Sequence, residues 1–277
     1  MKKSLLIIGA FLLAQVVAGI IIAIPLIMQA ASQGAHAIEN FQTGTTELLI
    51  SLMVADVLII VATILICRKG WAAPFRWNMP MPRGLLTMLL SLVGCAALVI
   101  LTESLSEWLN LPDLLEDTFM AASLSPLALW AIALIGPLTE EVACRYGIVG
   151  SLLEMKRCPV WVAVVVSAIL FSLLHMNPSQ MLVAFILGIY LGWLYVTTRS
   201  LWPCILCHVA NNAVSVILMR LYPNPDDQTL TAFVGGTPAL VTLLGISAAV
   251  LLITILALRK NCEDMSQEPR VKSQESF

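Results

Sequence analysis

Long apolar runs separated by short polar breaks make up most of this chain. Eight runs read as candidate spans: about Leu5–Ala30, Glu47–Cys67, Gly84–Leu101, Pro126–Met155, Pro159–His175, Gln180–Thr198, Leu201–Leu221 and Pro238–Leu258. About 20 predominantly apolar residues suffice to cross a bilayer as a helix. A membrane β-barrel would show segments of roughly ten residues with alternating polarity, and the chain has none. The pattern therefore predicts an all-α fold, a polytopic membrane helix bundle of about eight transmembrane helices over 1–258, with a disordered polar tail over 259–277. Pro126 opens the fourth run, where a proline is well tolerated. Pro137 lies inside that run and should kink the helix or loosen one backbone bond.

Composition supports the membrane assignment. The chain is 59% hydrophobic and 12% charged, against roughly 25% charged in soluble domains, and its mean hydropathy is +0.92. The net charge of -2 says nothing about nucleic acid, but the sequence has no basic patch with interleaved aromatics, so no nucleic-acid partner is expected and the lipid bilayer is the first partner. Seven cysteines, mostly in or beside apolar runs, read as packing residues rather than a disulfide framework. The first run follows Lys2-Lys3 and exceeds the roughly 7–15 apolar residues of a signal peptide, so it is expected to be an uncleaved span.

Charge orients the spans. With both termini in the cytoplasm, the inner pieces hold Lys2, Lys3, Arg68, Lys69, Arg76, Arg83, Lys156, Arg157, Arg199, Arg259, Lys260, Arg270 and Lys272, thirteen of the fifteen basic residues. The outer loops 31–46 and 102–125 hold none. The positive-inside bias predicts a multi-pass protein with both termini in the cytoplasm, and Trp71 and Trp77 suit a surface-lying connection over 68–83. The Lys2-Lys3 start and the lack of organelle signals suit a plasma membrane, with the endoplasmic reticulum as the alternative.

Three polar stretches break the apolar runs: Glu140-Glu141-Val-Ala-Cys-Arg145, Phe171-Ser-Leu-Leu-His175 and His208-Val-Ala-Asn-Asn212. An ionisable group costs at least ~2.5–3.5 kcal/mol in hydrocarbon on insertion scales, so such residues are functional candidates. The pairs 141/145, 171/175 and 208/212 are each four residues apart, which places each on one face of its helix. An ion pair between Glu141 and Arg145 is the plain structural reading. It leaves Glu140, about 100° away around the helix, without a partner on its own helix and free to act as a general base. His175 and His208 are two of only three histidines, His36 being the third, and each lies in a different span. Asn212, one turn from His208, supplies an amide to the same cavity, while Phe171 shapes it or simply packs.

Other readings stand beside this one. Cys204-Ile-Leu-Cys207-His208 spells a haem c attachment pattern, yet it falls near the cytoplasmic end of a span, and haem c is attached outside. Glu140, His175 and His208 also compose a two-His, one-Glu zinc set drawn from three helices, so a metal mechanism stays open. Asp56 is intramembrane with no polar neighbour in sequence. A proton-coupled transporter would use the same carboxylates but calls for repeat symmetry, and none is evident. Helical rise puts His175 about 24 Å along its span from the inner end and His208 about 12 Å along its own, a mismatch that tilt, the Pro137 kink or a shifted start of the fifth span would remove.

The three motifs together resemble the CPBP family of intramembrane proteases, which includes the type II CAAX prenyl endopeptidases and bacteriocin-processing or immunity-associated proteins. That family's signatures are adjacent glutamates with an arginine four after the second, then Phe-x-x-x-His, then His-x-x-x-Asn or Asp. Glu140, Glu141, Arg145, Phe171, His175, His208 and Asn212 meet all three. The resemblance covers about 126–215, with Gly188, Gly192 and Leu201-Trp202-Pro203 as similar surroundings, and sets the catalytic core at about 126–221. It implies an intramembrane endopeptidase acting on a membrane-associated, in some members prenylated, peptide or protein at a cavity open to the cytoplasmic side. Glu140 would activate a water held by His175, while His208 and Asn212 would stabilise the oxyanion. Glu141 and Arg145 would position the helix. The alternative from another class is a non-catalytic immunity or scaffold protein that keeps the polar cluster.

Overall fold

The computed structural model describes residues 2–32, 44–70, 72–76, 80–155, 157–222 and 229–267. His36, Trp71, Trp77, Lys156 and residues 268–277 lie outside the described residues. The described residues are almost wholly helical, as the apolar runs require: a backbone in hydrocarbon must satisfy its own hydrogen bonds.

The helices are α1 (Lys2–Ser32), α2 (Thr45–Cys67), α3 (Arg83–Leu109), α4 (Glu116–Ser123), α5 (Ala128–Leu153), α6 (Val160–Leu173), α7 (Pro178–Thr198), α8 (Trp202–Leu221), α9 (Leu230–Phe233) and α10 (Thr237–Gln267). Each of the eight predicted runs appears as a helix. Six are long and apolar enough to cross a membrane, or seven if α4 and α5, bent by 113° at their junction, form one broken span. The expected eight is thus reduced by length. α6 has only 14 residues, or about 21 Å at 1.5 Å per residue, short of a hydrocarbon core of about 30 Å. The last helix continues past Leu258 to Gln267, so residues 259–267 extend the helix rather than begin the disordered tail.

α5 is the central element. Every residue from Val142 to Val149 is buried, packed among Ile7 and Phe11 of α1, Ile59 of α2, Phe171 of α6 and Ile205 of α8. α10 lies at the periphery against α3, with side chains such as Leu252 58% exposed, as a lipid-facing surface requires. α6 and α7 approach closely because α7 carries glycines. A Cβ on Gly188 would stand 3.1 Å from Ala168 and 3.2 Å from the Phe171 ring, and one on Gly192 2.9 Å from Val164. Small residues let membrane helices pack backbone to backbone.

The basic ends gather on one side of the bundle. Glu154, just after α5, binds Lys3 of α1 at 2.7 Å and Lys69, just after α2, at 2.6 Å. Asn261 of α10 reaches the Arg83 carbonyl and Thr87 of α3, and Trp202 of α8 donates to the Phe75 carbonyl at 2.9 Å. At the opposite end Asp113 meets Asn177 and Ser179, and Arg220 meets the carbonyls of Ser123 and Ser125. This two-ended distribution matches the one drawn from charge alone.

Candidate active site

α5 is not a uniform α-helix. It widens into π-helical turns over Ala131–Ile135 and again over Val142–Val149, with an ordinary helical stretch, Gly136–Glu141, between them. Pro137 has no N–H and its ring crowds the carbonyl four residues earlier, so the loosening expected there takes the form of the first π turn. Displaced carbonyls find side-chain donors from neighbouring helices. Asn212 Nδ2 donates to the Ile132 carbonyl at 3.0 Å, and Ser167 Oγ to the Cys144 carbonyl at 3.1 Å. The two glutamates thus sit at the end of a short regular stretch flanked by widened turns, an arrangement frequent at functional sites.

Glu141 is fully buried and accepts two partners on one oxygen. Arg145 Nη1 lies 3.0 Å and His208 Nδ1 2.9 Å from Glu141 Oε1. The ion pair read from the 141/145 spacing is therefore present. Arg145 is also held from outside its own helix: Nη2 lies 3.4 Å from the Gly188 carbonyl, and its guanidinium carbon sits 4.5 Å from the centre of the Phe171 ring. Phe171 accordingly does more than fill space. Its ring faces a buried cation and meets both imidazoles edge to face, His175 at 5.0 Å and His208 at 5.4 Å. Both imidazoles thus meet one ring despite the different depths drawn from helical rise. α6 stops at Leu173, and His175 sits in the turn that follows.

Glu140 does acquire a partner, from another helix: His208 Nε2 lies 3.4 Å from Glu140 Oε2. His208 thus bridges the two carboxylates, bound through Nδ1 to the locked Glu141 and facing Glu140 with Nε2. The side chain of Glu140 is 22% exposed, against 0% for Glu141. His175 stands apart from both carboxylates, with Nδ1 2.9 Å from the Phe171 carbonyl. Asn212 adjoins the first π turn, and its Oδ1 accepts from Asn211. Among the described residues no three His, Cys, Asp or Glu side chains converge as a metal ion requires, so the candidate set Glu140, His175 and His208 does not, as placed, form such a centre.

Sequence reasoning left Asp56 without a partner. The structure buries it on α2, facing Thr139 and within electrostatic range of Glu140. Sequence spacing could not reveal this, because α2 and α5 meet only in three dimensions. Cys204 and Cys207 are both buried and packed against α3 and α7.

A polytopic helical membrane protein in which Glu140, Glu141, Arg145 and His208 meet between the helices, with Phe171 and His175 beside them, is the class that this fold and site define. Residues 122–214 match the family model described as type II CAAX prenyl endopeptidase Rce1-like. It is similar to the membrane-embedded CAAX protease MroQ of Staphylococcus aureus (strain USA300), 30% identical over 112 residues, 39% of this chain and 45% of that protein. It is also similar to YdiL of Bacillus subtilis (strain 168), a candidate membrane peptidase by name, 29% identical over 115 residues, 40% of this chain and 46% of that one. The matched stretch thus spans just under half the length of these curated relatives. No solved structure matches the chain.

Proposed function

We propose that this protein is an intramembrane endopeptidase that hydrolyses a peptide bond of a membrane-associated peptide or protein with a glutamate-activated water. The observation that carries this reading is the unequal treatment of the two glutamates. Glu141 is sealed, ion-paired with Arg145 and hydrogen-bonded to His208, as a structural and orienting carboxylate should be, whereas Glu140 is partly accessible beside an oriented imidazole. In this reading Glu140 takes a proton from the water whose oxygen attacks the scissile carbonyl, and later delivers it to the departing amine. His175 helps hold the water. His208, oriented by Glu141, and Asn212 stabilise the oxyanion, a contribution often the largest in acyl transfer. Arg145 and Phe171 keep Glu141 and the imidazoles in place. The protein sits in the plasma membrane with the Lys-rich end and both termini in the cytoplasm, following the positive-inside rule.

The test compares purified wild type with Glu140→Gln on membrane-anchored and prenylated peptides, with and without a chelator. Cleavage lost in Glu140→Gln and kept in chelator supports the glutamate mechanism. Cleavage lost in chelator overturns it in favour of the zinc form, and no cleavage by folded wild type favours the non-catalytic immunity or scaffold reading.

A further inference from the structure

His175 lies outside regular helix, and something must hold it. α6 ends at Leu173, and beyond it the turn is held by Leu174 N–H to the Leu170 carbonyl at 3.2 Å, His175 N–H to the Ser172 carbonyl at 3.1 Å and Met176 N–H to the Leu173 carbonyl at 3.3 Å. Met176 then adopts a left-handed backbone, φ 48°, that a non-glycine residue keeps only where its surroundings enforce it.

The enforcing residue is Asn177, which is 0% exposed. Asparagine at the start of a helix ordinarily caps it through a free backbone N–H, and Asn177 begins α7 without doing so. Both ends of its amide instead cross to the connection between α3 and α4. Nδ2 donates to Asp113 Oδ1 at 2.8 Å, and Oδ1 accepts the Leu114 N–H at 3.0 Å. Ser179 adds a hydroxyl bond to Asp113 Oδ2 at 3.0 Å and its N–H to the Pro112 carbonyl at 3.3 Å. Asp113 is fixed in turn by accepting the Leu115 N–H at 3.0 Å. Forgoing a helix cap for a crosslink that runs from a buried amide to the exposed Asp113, two residues from a site histidine, is the pattern of a support.

We infer that Asn177 and Asp113 are positioning residues that fix the α6–α7 turn and hold the His175 imidazole against Phe171 in its working place. The segment 112–115 is therefore part of the catalytic apparatus, although no residue of it touches the centre. This inference rests on the proteolytic reading for its kinetic consequence, but not for its structural one.

The experiment has two arms on the full-length protein in detergent. In the first, Asn177→Ala and Asp113→Ala are expected to lower kcat by about 10- to 100-fold, the scale of a displacement near 1 Å at a reacting group, with KM nearly unchanged. Asp113→Asn keeps an acceptor for Asn177 and a partner for the Ser179 hydroxyl, and should restore most of the turnover. The second arm follows the ring signals of ¹⁵N-histidine-labelled protein, which has only three histidines, with assignment by His175→Gln. The His175 signal should be single in wild type and Asp113→Asn, but shifted or broadened in the alanine variants. Should Asn177→Ala not fold, Ser179→Ala takes its place with a smaller change in the same direction. An unmoved His175 signal in the alanine variants overturns the inference whatever the activity. So does Asp113→Asn behaving like Asp113→Ala, which would assign the effect to charge. A moved signal in a protein whose wild type cleaves nothing upholds the inference while defeating the proteolytic reading.

Discussion

Replacing Arg145 by methionine removes the one cation that faces Glu141 in a fully buried pocket, at a contact of 3.0 Å. Methionine has a comparable stem, so the change falls mainly on charge. Breaking a buried pair by removing one partner leaves an uncompensated charge and costs about 3–5 kcal/mol. Two features set the value within that range. The pair is close but poorly aligned, leaving Arg145 Nε and Nη1 and Glu141 Oε2 without a well-formed hydrogen bond, which lowers it. The guanidinium also lies over Phe171, a desolvated cation–aromatic contact of about 2 kcal/mol, which restores it. A loss of about 4 kcal/mol is expected for Arg145→Met, and a comparable loss for Glu141→Gln. The double variant buries no unpaired charge, so its loss should fall about 1–3 kcal/mol short of the sum of the single losses. Reversible unfolding of the four proteins by sodium dodecyl sulfate titration in mixed micelles, followed by tryptophan fluorescence, measures each value. Two single losses below 1 kcal/mol that add without coupling would refute the buried-lock reading of Glu141 and Arg145.

Three further outcomes are expected. Gly188→Ala forces a methyl group into Ala168 and the Phe171 ring, and should destabilise by about 1–3 kcal/mol as overpacking does; an unchanged unfolding midpoint would show that α6 and α7 separate freely. Ser167→Ala deprives the Cys144 carbonyl of its hydroxyl partner in the second π turn, and should cost about 1–3 kcal/mol, whereas a neutral result would mean that the widened turn satisfies itself. Lys3 and Lys69 hold the Glu154 carboxyl below the ordinary carboxylate range. A depressed carboxylate contributes stability above its unfolded value and loses it as pH falls through the folded one. The wild-type advantage over Glu154→Gln should therefore be present at neutral pH and vanish in the acid range, and because this cluster is more than one-third exposed, it should stay under about 1 kcal/mol and shrink with salt. Melting curves across pH read it, and an advantage that grows on acidification would contradict the sign.

Much of the fold was legible because the bilayer is a simple solvent. Apolar run length gave each helix, and the charge pattern placed Lys3, Lys69, Arg83 and Glu154 at helix ends, where Glu154 joins Lys3 to Lys69 and Asn261 reaches the Arg83 carbonyl. Helix-internal relations were equally readable: the four-residue spacing of Glu141 and Arg145 foretold their pairing, and Pro137 foretold a loosened backbone. Run length failed at α6, where apolar character continues to His175 while the helix stops at Leu173 before Asn177-Pro178.

Relations between helices were not in the string. That Glu140 would face His208 rather than stand unpartnered, that one imidazole would bridge both carboxylates, and that Asp56 would come to lie near Glu140 all depend on how α2, α5 and α8 rotate and slide against one another. The linear pattern states which face of each helix is polar, since helical period fixes that locally. It does not state which polar faces meet, because that is settled by close packing of small residues such as Gly188 and Gly192 and by carbonyls released at the π turns of α5. The sequence by itself determined the helices and the polar groups set among them; only tertiary packing decided which glutamate is sealed and which is left within reach.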